Sequence, residues 1–367
     1  MYIHEQKEWP LLTWDQAKLA GLLTEVRHLQ GRLLGRMEGL GFQLREEATL
    51  QTLTQDVIKT SEIEGEKLDA AQVRSSLARR MGLDVGALPQ VDRNGEGIVE
   101  VMLDATRKYD APLTKERLFS WHAALFPTGR SGMQKITVGG WRTEASGPMQ
   151  VVSGPYGREK LHYEAPTHDR LGKEMERFLE FFNSPSETDP VIRSAVAHFW
   201  FVTIHPFEDG NGRIARAIAD SVLARSEKSS QRFYSMSSQI QRERNAYYDV
   251  LERSQKGSLA ITPWIEWYLH CLEHAITASE GMLEVVLRKA YFWKTHAGES
   301  FSDRQQALIN RLLDGFEGKL TSSKWAKLAK CSQDTALRDI SDLQGRQILA
   351  KEEAGGRSTS YRLLSPK

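Results

Sequence analysis

Twelve consecutive residues at 205–216, HPFEDGNGRIAR, combine side chains that could move a proton and hold an anion. His205 directly precedes a proline, and the residue before a proline is disfavoured in a helix, so a turn is expected there. Its imidazole could act as a general base near neutral pH. Asp209 adds a carboxylate close by, and a hard carboxylate beside phosphates is a usual protein ligand of Mg²⁺.

The second half of this stretch predicts a phosphate site. The Gly-Asn-Gly run at 210–212 permits unusual backbone angles and a close approach by a ligand. A helical pattern restarts at once, and the free N–H groups at a helix start bind anions. Arg213 and Arg216 share one helix face and could fork onto further phosphates. A His-Pro pair, a Gly-Asn-Gly turn or a capping Asp is ordinary alone, but their combination predicts attack on a nucleotide phosphate with His205 as base.

These residues resemble the signature of the Fic family, HPFx(D/E)GNGRxxR, at every fixed position, and the resemblance covers roughly residues 95–275. It implies an all-α fold with a β-hairpin flap and with the motif between two core helices. It also implies that AMP passes from ATP to a Ser, Thr or Tyr hydroxyl of a protein, the chain itself included, with release of pyrophosphate. The sequence does not identify the nucleobase of the donor, so a different nucleotide or phosphate donor is an alternative.

The resemblance implies a role for each residue of the motif. His205 would deprotonate the target hydroxyl, and Asp209 would hold Mg²⁺. Arg213 would contact the β-phosphate and Arg216 the γ-phosphate. Three adjacent residues would cradle the α- and β-phosphates: Gly210, Asn211 and Gly212.

Helical periodicity predicts a helix over about 241–255. Its segment at 247–255, YYDVLERSQ, resembles the adenine-side helix of the family. It makes Tyr247, Tyr248 and Gln255 candidates for contact with the nucleotide. Two tyrosines on a helix belong to the core equally often, so core packing is the alternative.

Two short β-type runs, at 150–153 and 161–163, flank a Gly-Pro-Tyr-Gly turn and predict a β-hairpin. By resemblance this hairpin is the flap, which docks a target segment through strand addition and therefore through backbone contacts. Five residues would form the docking strand: Met149, Gln150, Val151, Val152 and Ser153.

The segment TSEIEG at 60–65 matches the inhibitory motif of the family, which is Ser or Thr, three residues, Glu, then Gly or Asn. Thr60 and Glu64 are four residues apart and share a helix face. The resemblance implies that Glu64 pairs with Arg216 and blocks the γ-phosphate position, so that the chain is autoinhibited in cis. A solvated Glu64 is one alternative. Another is a de-AMPylase, because in some members this glutamate positions the water that removes AMP.

Helical periodicity dominates elsewhere and predicts a mainly α protein in three parts. These are an N-terminal helical domain at 1–92, a catalytic domain at 93–275 and a C-terminal domain at 276–367. The last part has the order helix, helix, turn, helix and two-stranded ribbon, which is that of a winged helix-turn-helix. Five of its residues could contact DNA from the recognition helix or the wing: Thr335, Arg338, Lys351, Arg357 and Arg362. A transcription regulator built on a Fic fold is therefore an alternative function.

The composition narrows the class of protein. The 367 residues include 49 Lys and Arg against 48 Asp and Glu, and this balance excludes a chain-wide basic footprint for nucleic acid. Two cysteines are too few for a disulfide framework and indicate a reducing compartment. The start of the chain does not read as a signal peptide, and no apolar stretch approaches the roughly 20 residues of a spanning helix. We therefore expect a cytoplasmic protein with no membrane partner, and a homodimer is left open.

Overall fold

The structure is a computed structural model that describes residues 1–83, 93–154, 157–313, 316, 318–352 and 359–364. Within these ranges the chain forms fourteen α-helices: α1 Gln16–Glu38, α2 Phe42–Ile63, α3 Ala70–Met81, α4 Arg93–Arg107, α5 Lys115–Leu125, α6 His168–Asn183, α7 Pro190–Ile204, α8 Asn211–Glu227, α9 Met236–Arg242, α10 Arg244–Gln255, α11 Thr262–Thr295, α12 Asp303–Leu313, α13 Ser322–Ala329 and α14 Gln333–Gly345. The same ranges contain six strands: β1 Arg130–Ser131, β2 Gln134–Lys135, β3 Gln150–Ser153, β4 Lys160–Glu164, β5 Leu349–Lys351 and β6 Tyr361–Leu363. The predicted mainly α fold with small β-hairpins is confirmed.

The chain divides into two compact units, Met1–Ser279 and Glu280–Lys367, and the boundary falls within α11. The predicted boundary at residue 92 falls within the span of the first unit and lies outside the described residues. Helix α2 packs on α9 and α8, and α3 packs on α4, so the two predicted domains share one core.

The central pair of helices in the first unit is α7 and α8. All of α7 except two positions is buried, as expected for a helix that is apolar around most of its circumference. Pro190 occupies the first turn, and Asp189 caps the helix by accepting a hydrogen bond from the Val191 N–H at 2.8 Å. The helix ends at Ile204, because His205 adopts a left-handed conformation with φ 51°.

One predicted helix is divided in the structure. The pattern over 241–255 predicted a continuous helix, but Glu243 separates α9 from α10 with φ −102° and ψ 25°. Its carboxylate is held by the Gln239 side chain at 2.5 Å and lies 2.8 Å from the His274 ring. The backbone of Glu243 still bonds to both helices, through its N–H to the Gln239 carbonyl at 3.0 Å and through its carbonyl to the Tyr247 N–H at 2.9 Å.

Each sheet among the described residues is a two-stranded antiparallel hairpin: β1–β2, β3–β4 and β5–β6. The predicted hairpin is β3–β4, with an irregularity between Val151 and Val152. The middle of its predicted turn, at 155–156, lies outside the described residues. The small hairpin β1–β2 was not predicted.

The second unit contains α12, α13, α14 and the hairpin β5–β6 around its own apolar core, in which Trp325 and Ile309 are fully buried. Arg338 on α14 and Lys351 and Arg362 on the hairpin strands are exposed, whereas Arg357 lies outside the described residues. In the part of the chain that the structure describes, no helix combines the length and the hydropathy needed to cross a membrane.

Candidate active site

His205 stands where α7 ends, with its side chain largely shielded from solvent. Its Nδ1 lies 3.2 Å from the Val202 carbonyl oxygen, which can only accept, so Nδ1 carries the proton and Nε2 keeps a free lone pair. Burial, together with the nearby Arg142 guanidinium, lowers the pKa of His205 to about 4, although the hydrogen bond to the Val202 carbonyl raises it. The imidazole is therefore neutral at physiological pH and available as a base.

Arg142 fixes the backbone around this histidine. Its Nε donates to the His205 carbonyl at 2.9 Å, its backbone N–H donates to the Pro206 carbonyl at 2.9 Å, and its Nη2 donates to the Pro166 carbonyl. The side chain is only 2% exposed, and burial lowers the pKa of its guanidinium. A turn between two helices leaves backbone carbonyls without regular partners, and Arg142 satisfies them.

We define the motif loop as residues 205–210, between α7 and α8. Asn211 braces it: Oδ1 accepts from the Phe207 N–H at 3.0 Å and Nδ2 donates to the Phe207 carbonyl at 2.8 Å. The Asn211 amide is thus used inside the protein rather than turned to a ligand. Gly210 has φ 80°, and a Cβ there would lie 2.9 Å from the Phe126 ring, so this position needs glycine.

Asp209 is the candidate metal ligand. Its Oδ1 accepts from the Gly210 N–H at 2.5 Å, and its Oδ2 accepts from the Ser131 hydroxyl. His122 lies below it: Nδ1 accepts from the Gly139 N–H at 3.2 Å, which leaves Nε2–H to donate to the Asp209 carbonyl at 3.2 Å. Burial lowers the pKa of His122 to about 4, consistent with a neutral ring in this role.

The carboxylate of Asp209 fits a hard cation. Two carboxylate oxygens offer about four lone-pair sites, and two hydrogen bonds leave room for coordination. Among the described residues, no group of three or more His, Cys, Asp or Glu side chains could hold a metal. One carboxylate supplemented by phosphate oxygens and water is a common arrangement for Mg²⁺.

The N-terminus of α8 follows the motif loop, and its first N–H groups have no acceptor within the helix. Arg216, one turn further on, is 2% exposed. Its Nη2 lies 2.6 Å from Glu64 Oε1 and 3.0 Å from the Thr60 carbonyl, and its Nε donates to Thr60 Oγ1 at 2.6 Å. Burial is the largest single effect and disfavours the charge of Arg216, but Glu64, Tyr247 and Tyr248 together outweigh it and raise the pKa of the guanidinium. Glu64 also lies 2.2 Å from the position that a Cβ on Gly212 would take.

Arg213 has an acidic partner that the sequence did not suggest. Its Nη1 donates to Glu66 Oε2 at 2.9 Å, and the guanidinium lies over the Phe126 ring at 5.0 Å. The side chain of Arg213 is 4% exposed and that of Glu66 is 43% exposed.

The end of α2 brings both glutamates to α8. Gly65 has φ 86°, its N–H donates to the Glu62 carbonyl at 3.0 Å, and the Glu66 N–H donates to the Ser61 carbonyl at 2.9 Å. This is the Schellman ending, in which the left-handed position favours glycine or asparagine. It places Glu64 and Glu66 on either side of the glycine.

The residues predicted on the adenine side occupy different environments. Tyr247 is 2% exposed, lies beside Arg216 and has its hydroxyl 3.0 Å from His198 Nε2, and burial raises its pKa. Gln255 is buried and donates to Thr203 Oγ1 at 3.3 Å, whereas Tyr248 is 38% exposed. Tyr247 and Gln255 are thus packed as core residues, and their contact with a nucleotide stays a prediction.

The hairpin β3–β4 is anchored at its base by the buried Tyr163, whose hydroxyl donates to the Thr203 carbonyl at 2.7 Å. Further out, His162 Nδ1 lies 2.5 Å from Glu252 Oε2 on α10, and its Nε2 lies 2.5 Å from Ser153 Oγ. Of the predicted docking strand, Met149 and Val151 are half-buried. Its other three residues are exposed: Gln150, Val152 and Ser153.

Sequence reasoning missed four residues that hold or cover the motif: Arg142, His122, Ser131 and Glu66. The first three lie far from the motif in sequence and have no spacing that links them to it. Glu66 adjoins the inhibitory motif, and its proximity to Glu64 was the one signal that could have indicated it.

The fold and site together define a helical domain with a His-Asp loop at a helix N-terminus that presents two arginines. The Fic/DOC family model matches residues 112–223, and the chain carries a Fic/DOC domain. Residues 2–83 match a domain of unknown function, DUF4172.

Curated relatives carry the name protein adenylyltransferase Fic. The protein from Aedes aegypti is 26% identical over 235 residues, covering 62% of this chain and 42% of the relative. The protein from Nematostella vectensis is 33% identical over 115 residues, covering 31% of this chain and 25% of the relative. The chain thus spans less than half the length of these relatives.

A solved structure has the same fold. The crystal structure of a Fic family protein from Desulfovibrio desulfuricans G20 superposes with a TM-score of 0.52 at 22% identity, covering 95% of this chain and 96% of that one.

Proposed function

We propose that this chain transfers AMP from ATP to a Ser, Thr or Tyr hydroxyl of a protein, its own included, and that Glu64 restrains the reaction in cis. One observation carries the proposal: a neutral His205 and the Asp209 carboxylate lie in one braced loop that leads directly into a helix N-terminus bearing Arg213 and Arg216. The names of the curated relatives support the same activity.

In this reaction, His205 Nε2 accepts the proton of the attacking hydroxyl. The hydroxyl oxygen forms a bond to the α-phosphorus of ATP, and the bond between that phosphorus and the pyrophosphate oxygen breaks. The free N–H groups at the start of α8 bind phosphate oxygens, and Arg213 and Arg216 stabilise charge on the leaving pyrophosphate. Mg²⁺, when bound beside Asp209, would neutralise phosphate charge.

The ion pair between Glu64 and Arg216 supports restraint in cis. Arg216 is almost fully buried and gives its Nη2 and Nε to Glu64 and Thr60, so a γ-phosphate must displace a carboxylate to reach it. A substitution of Glu64 by Gly should free the guanidinium.

The test is intact-mass spectrometry of three proteins incubated with Mg²⁺ and ATP: wild type, Glu64→Gly, and Glu64→Gly with His205→Ala. We expect an increment of one AMP on Glu64→Gly alone. Equal modification of wild type and Glu64→Gly would show that Glu64 does not restrain the reaction. If the variant that also carries His205→Ala were modified as much as Glu64→Gly, His205 would not be the base. If none of the three is modified, AMP transfer to the chain itself is excluded under these conditions.

The exposure of Glu64 favours a second candidate, de-AMPylation. Its ion pair uses Oε1, and the side chain is 28% exposed, so a water could reach it. Under this alternative, Glu64→Gly abolishes release of AMP from a modified protein instead of releasing transfer. Incubation of the modified Glu64→Gly protein with wild type would separate the two activities.

DNA binding through the second unit is a further candidate, favoured by the exposure of Arg338, Lys351 and Arg362. Phosphate contacts by such side chains make binding depend steeply on salt. A gel shift with the chain's own promoter, compared with a variant in which all three are glutamine, would test it.

A further inference from the structure

Glu66 forms an ion pair with the first arginine of the motif, as Glu64 does with the second. The two pairs measure 2.9 Å for Glu66 with Arg213 and 2.6 Å for Glu64 with Arg216. Both guanidiniums are almost fully buried, so neither can turn away into water to find another partner.

The geometry of the two carboxylates follows from one helix ending. With Gly65 in the left-handed position, the Schellman hydrogen bonds fix the backbone on both sides of it. Arg213 and Arg216 are likewise fixed, one turn apart at the start of α8. Two anionic groups are therefore held against two cations at a helix N-terminus, which is also how a protein binds two linked phosphates.

We propose that the segment Glu64-Gly65-Glu66 is an intramolecular mimic of a nucleotide diphosphate tail, in which Glu66 occupies the anion position on Arg213. Glu66 is thereby a specificity-determining residue of the nucleotide site. This rests on the proposed function, in which Arg213 receives the β-phosphate and Arg216 the γ-phosphate. Glu66 then opposes every nucleotide with a β-phosphate, whereas Glu64 opposes only triphosphates.

The two competitors differ in strength. Arg216 is held by Thr60 as well as Glu64, and the Glu64 side chain is 28% exposed. Glu66 is 43% exposed and, among the described residues, is the only hydrogen-bond partner found for the Arg213 side chain. The Nε of Arg213 has no hydrogen-bond partner among those residues. Solvent weakens an ion pair of this kind, and salt screens it. We therefore expect the smaller effect, and the greater salt sensitivity, at Glu66.

The experiment is calorimetric titration of AMP, ADP and ATP into the full chain carrying His205→Ala, which prevents turnover. The variants on this background are Glu66→Gln, Glu64→Gln and both together. Glu62→Gln is the matched control, since it removes the same charge from the same helix end but pairs with Lys59 at 2.7 Å.

For Glu66→Gln we expect ADP to bind about two- to tenfold more tightly and AMP to bind unchanged. The gain should shrink at about 1 M salt, where the Debye length is about 3 Å. Glu64→Gln should tighten ATP more than ADP. ADP affinity in Glu66→Gln equal to that in Glu62→Gln, or an equal gain for AMP, would overturn the role of Glu66.

The result also separates this inference from the proposed function. Tighter ATP in Glu64→Gln with no gain for ADP in Glu66→Gln contradicts the Glu66 inference alone. If neither ATP nor ADP binds to any variant, both the nucleotide site and the Glu66 inference fail.

Discussion

The motif loop follows the end of α7, and the hairpin β3–β4 is anchored to the same helix end through Tyr163 and Thr203, yet the two are held by different means. In the motif loop, side chains supply partners for the backbone: Arg142 for the His205 carbonyl, His122 for the Asp209 carbonyl, and Asn211 for the N–H and carbonyl of Phe207. The two strands of the hairpin pair with each other through their backbones, and its outer half is held by exposed or half-buried side chains.

This difference fits the two tasks that we propose for these regions, catalysis and docking of a target segment. Chemistry needs atoms fixed to a fraction of an ångström, and buried charge-assisted hydrogen bonds achieve this. Docking by strand addition needs a backbone edge that can adjust to the incoming segment. The contrast predicts large effects from changes around the motif loop and small ones from changes in the hairpin.

The largest effect is expected from loss of the base. In a Glu64→Gly background, His205→Ala should reduce the initial rate of AMP transfer about 10²- to 10⁴-fold, because the imidazole that takes the proton is removed. The rate is measured by incorporation of label from ATP into protein. Glu62→Gln in the same background should leave it unchanged. A loss below about tenfold would assign the base to another residue.

Arg142→Met should destabilise the first unit by about 2–5 kcal/mol, because it leaves buried carbonyls without donors. Urea unfolding measures the change. The matched control is Arg130→Met, since Arg130 also donates to a backbone carbonyl, that of Met133 at 2.8 Å, but is exposed. Equal destabilisation by the two substitutions would contradict the assignment of Arg142 as the brace of the motif loop.

The pH profile of transfer tests the burial of His205. Burial lowers its pKa to about 4 from the ordinary 6.5, and the neutral form is the base, so activity is lost only as pH falls through about 4. In Glu64→Gly the carboxylate that raises the pKa of His205 is absent, so the acid limb of the pH–rate profile does not move to a higher pH. The acid limb is measured from initial rates of transfer across this pH range, with unfolding of the protein followed in parallel. An acid limb near 6.5 would mean that the imidazole is solvated.

The smallest effect is expected in the hairpin. His162→Gln removes a pair whose side chains are 24% and 22% exposed, so stability should change by less than about 1 kcal/mol. Hydrogen exchange should quicken in β3 and β4 while residues 205–213 keep their protection. Faster exchange in both regions would show that they open together, and it would contradict the view that the motif loop and the hairpin are held independently.

Much of the local structure was predictable from the sequence. The residue before Pro206 leaves the helix, Gly210 takes a left-handed conformation, and α8 begins within the motif, all as the residue types indicate. The apolar pattern of α7 likewise predicted its burial. Resemblance, rather than spacing, indicated that Glu64 meets Arg216.

Other features were not predictable, because they depend on partners distant in the chain. Arg142 lies 63 residues from His205, and Glu66 lies 147 residues from Arg213. Nothing near Arg142 or His122 in sequence distinguishes them from other arginines and histidines. The break at Glu243 within the helix over 241–255 was also missed, and the His274 ring beside its carboxylate belongs to α11, 31 residues further along the chain.

The sequence by itself determined the chemistry available to this protein, because a base, a carboxylate, a glycine-flanked turn and two arginines lie within twelve positions and their geometry follows from local backbone preferences. Only the tertiary structure decided how these residues are buried and which partners they contact. It shielded His205 from much of the solvent, braced the motif loop with Arg142 and His122, and placed the two carboxylates that follow α2 on two arginines of α8. The physical reason is that burial and ion pairing depend on distances in space, which the separation of residues along a chain does not specify.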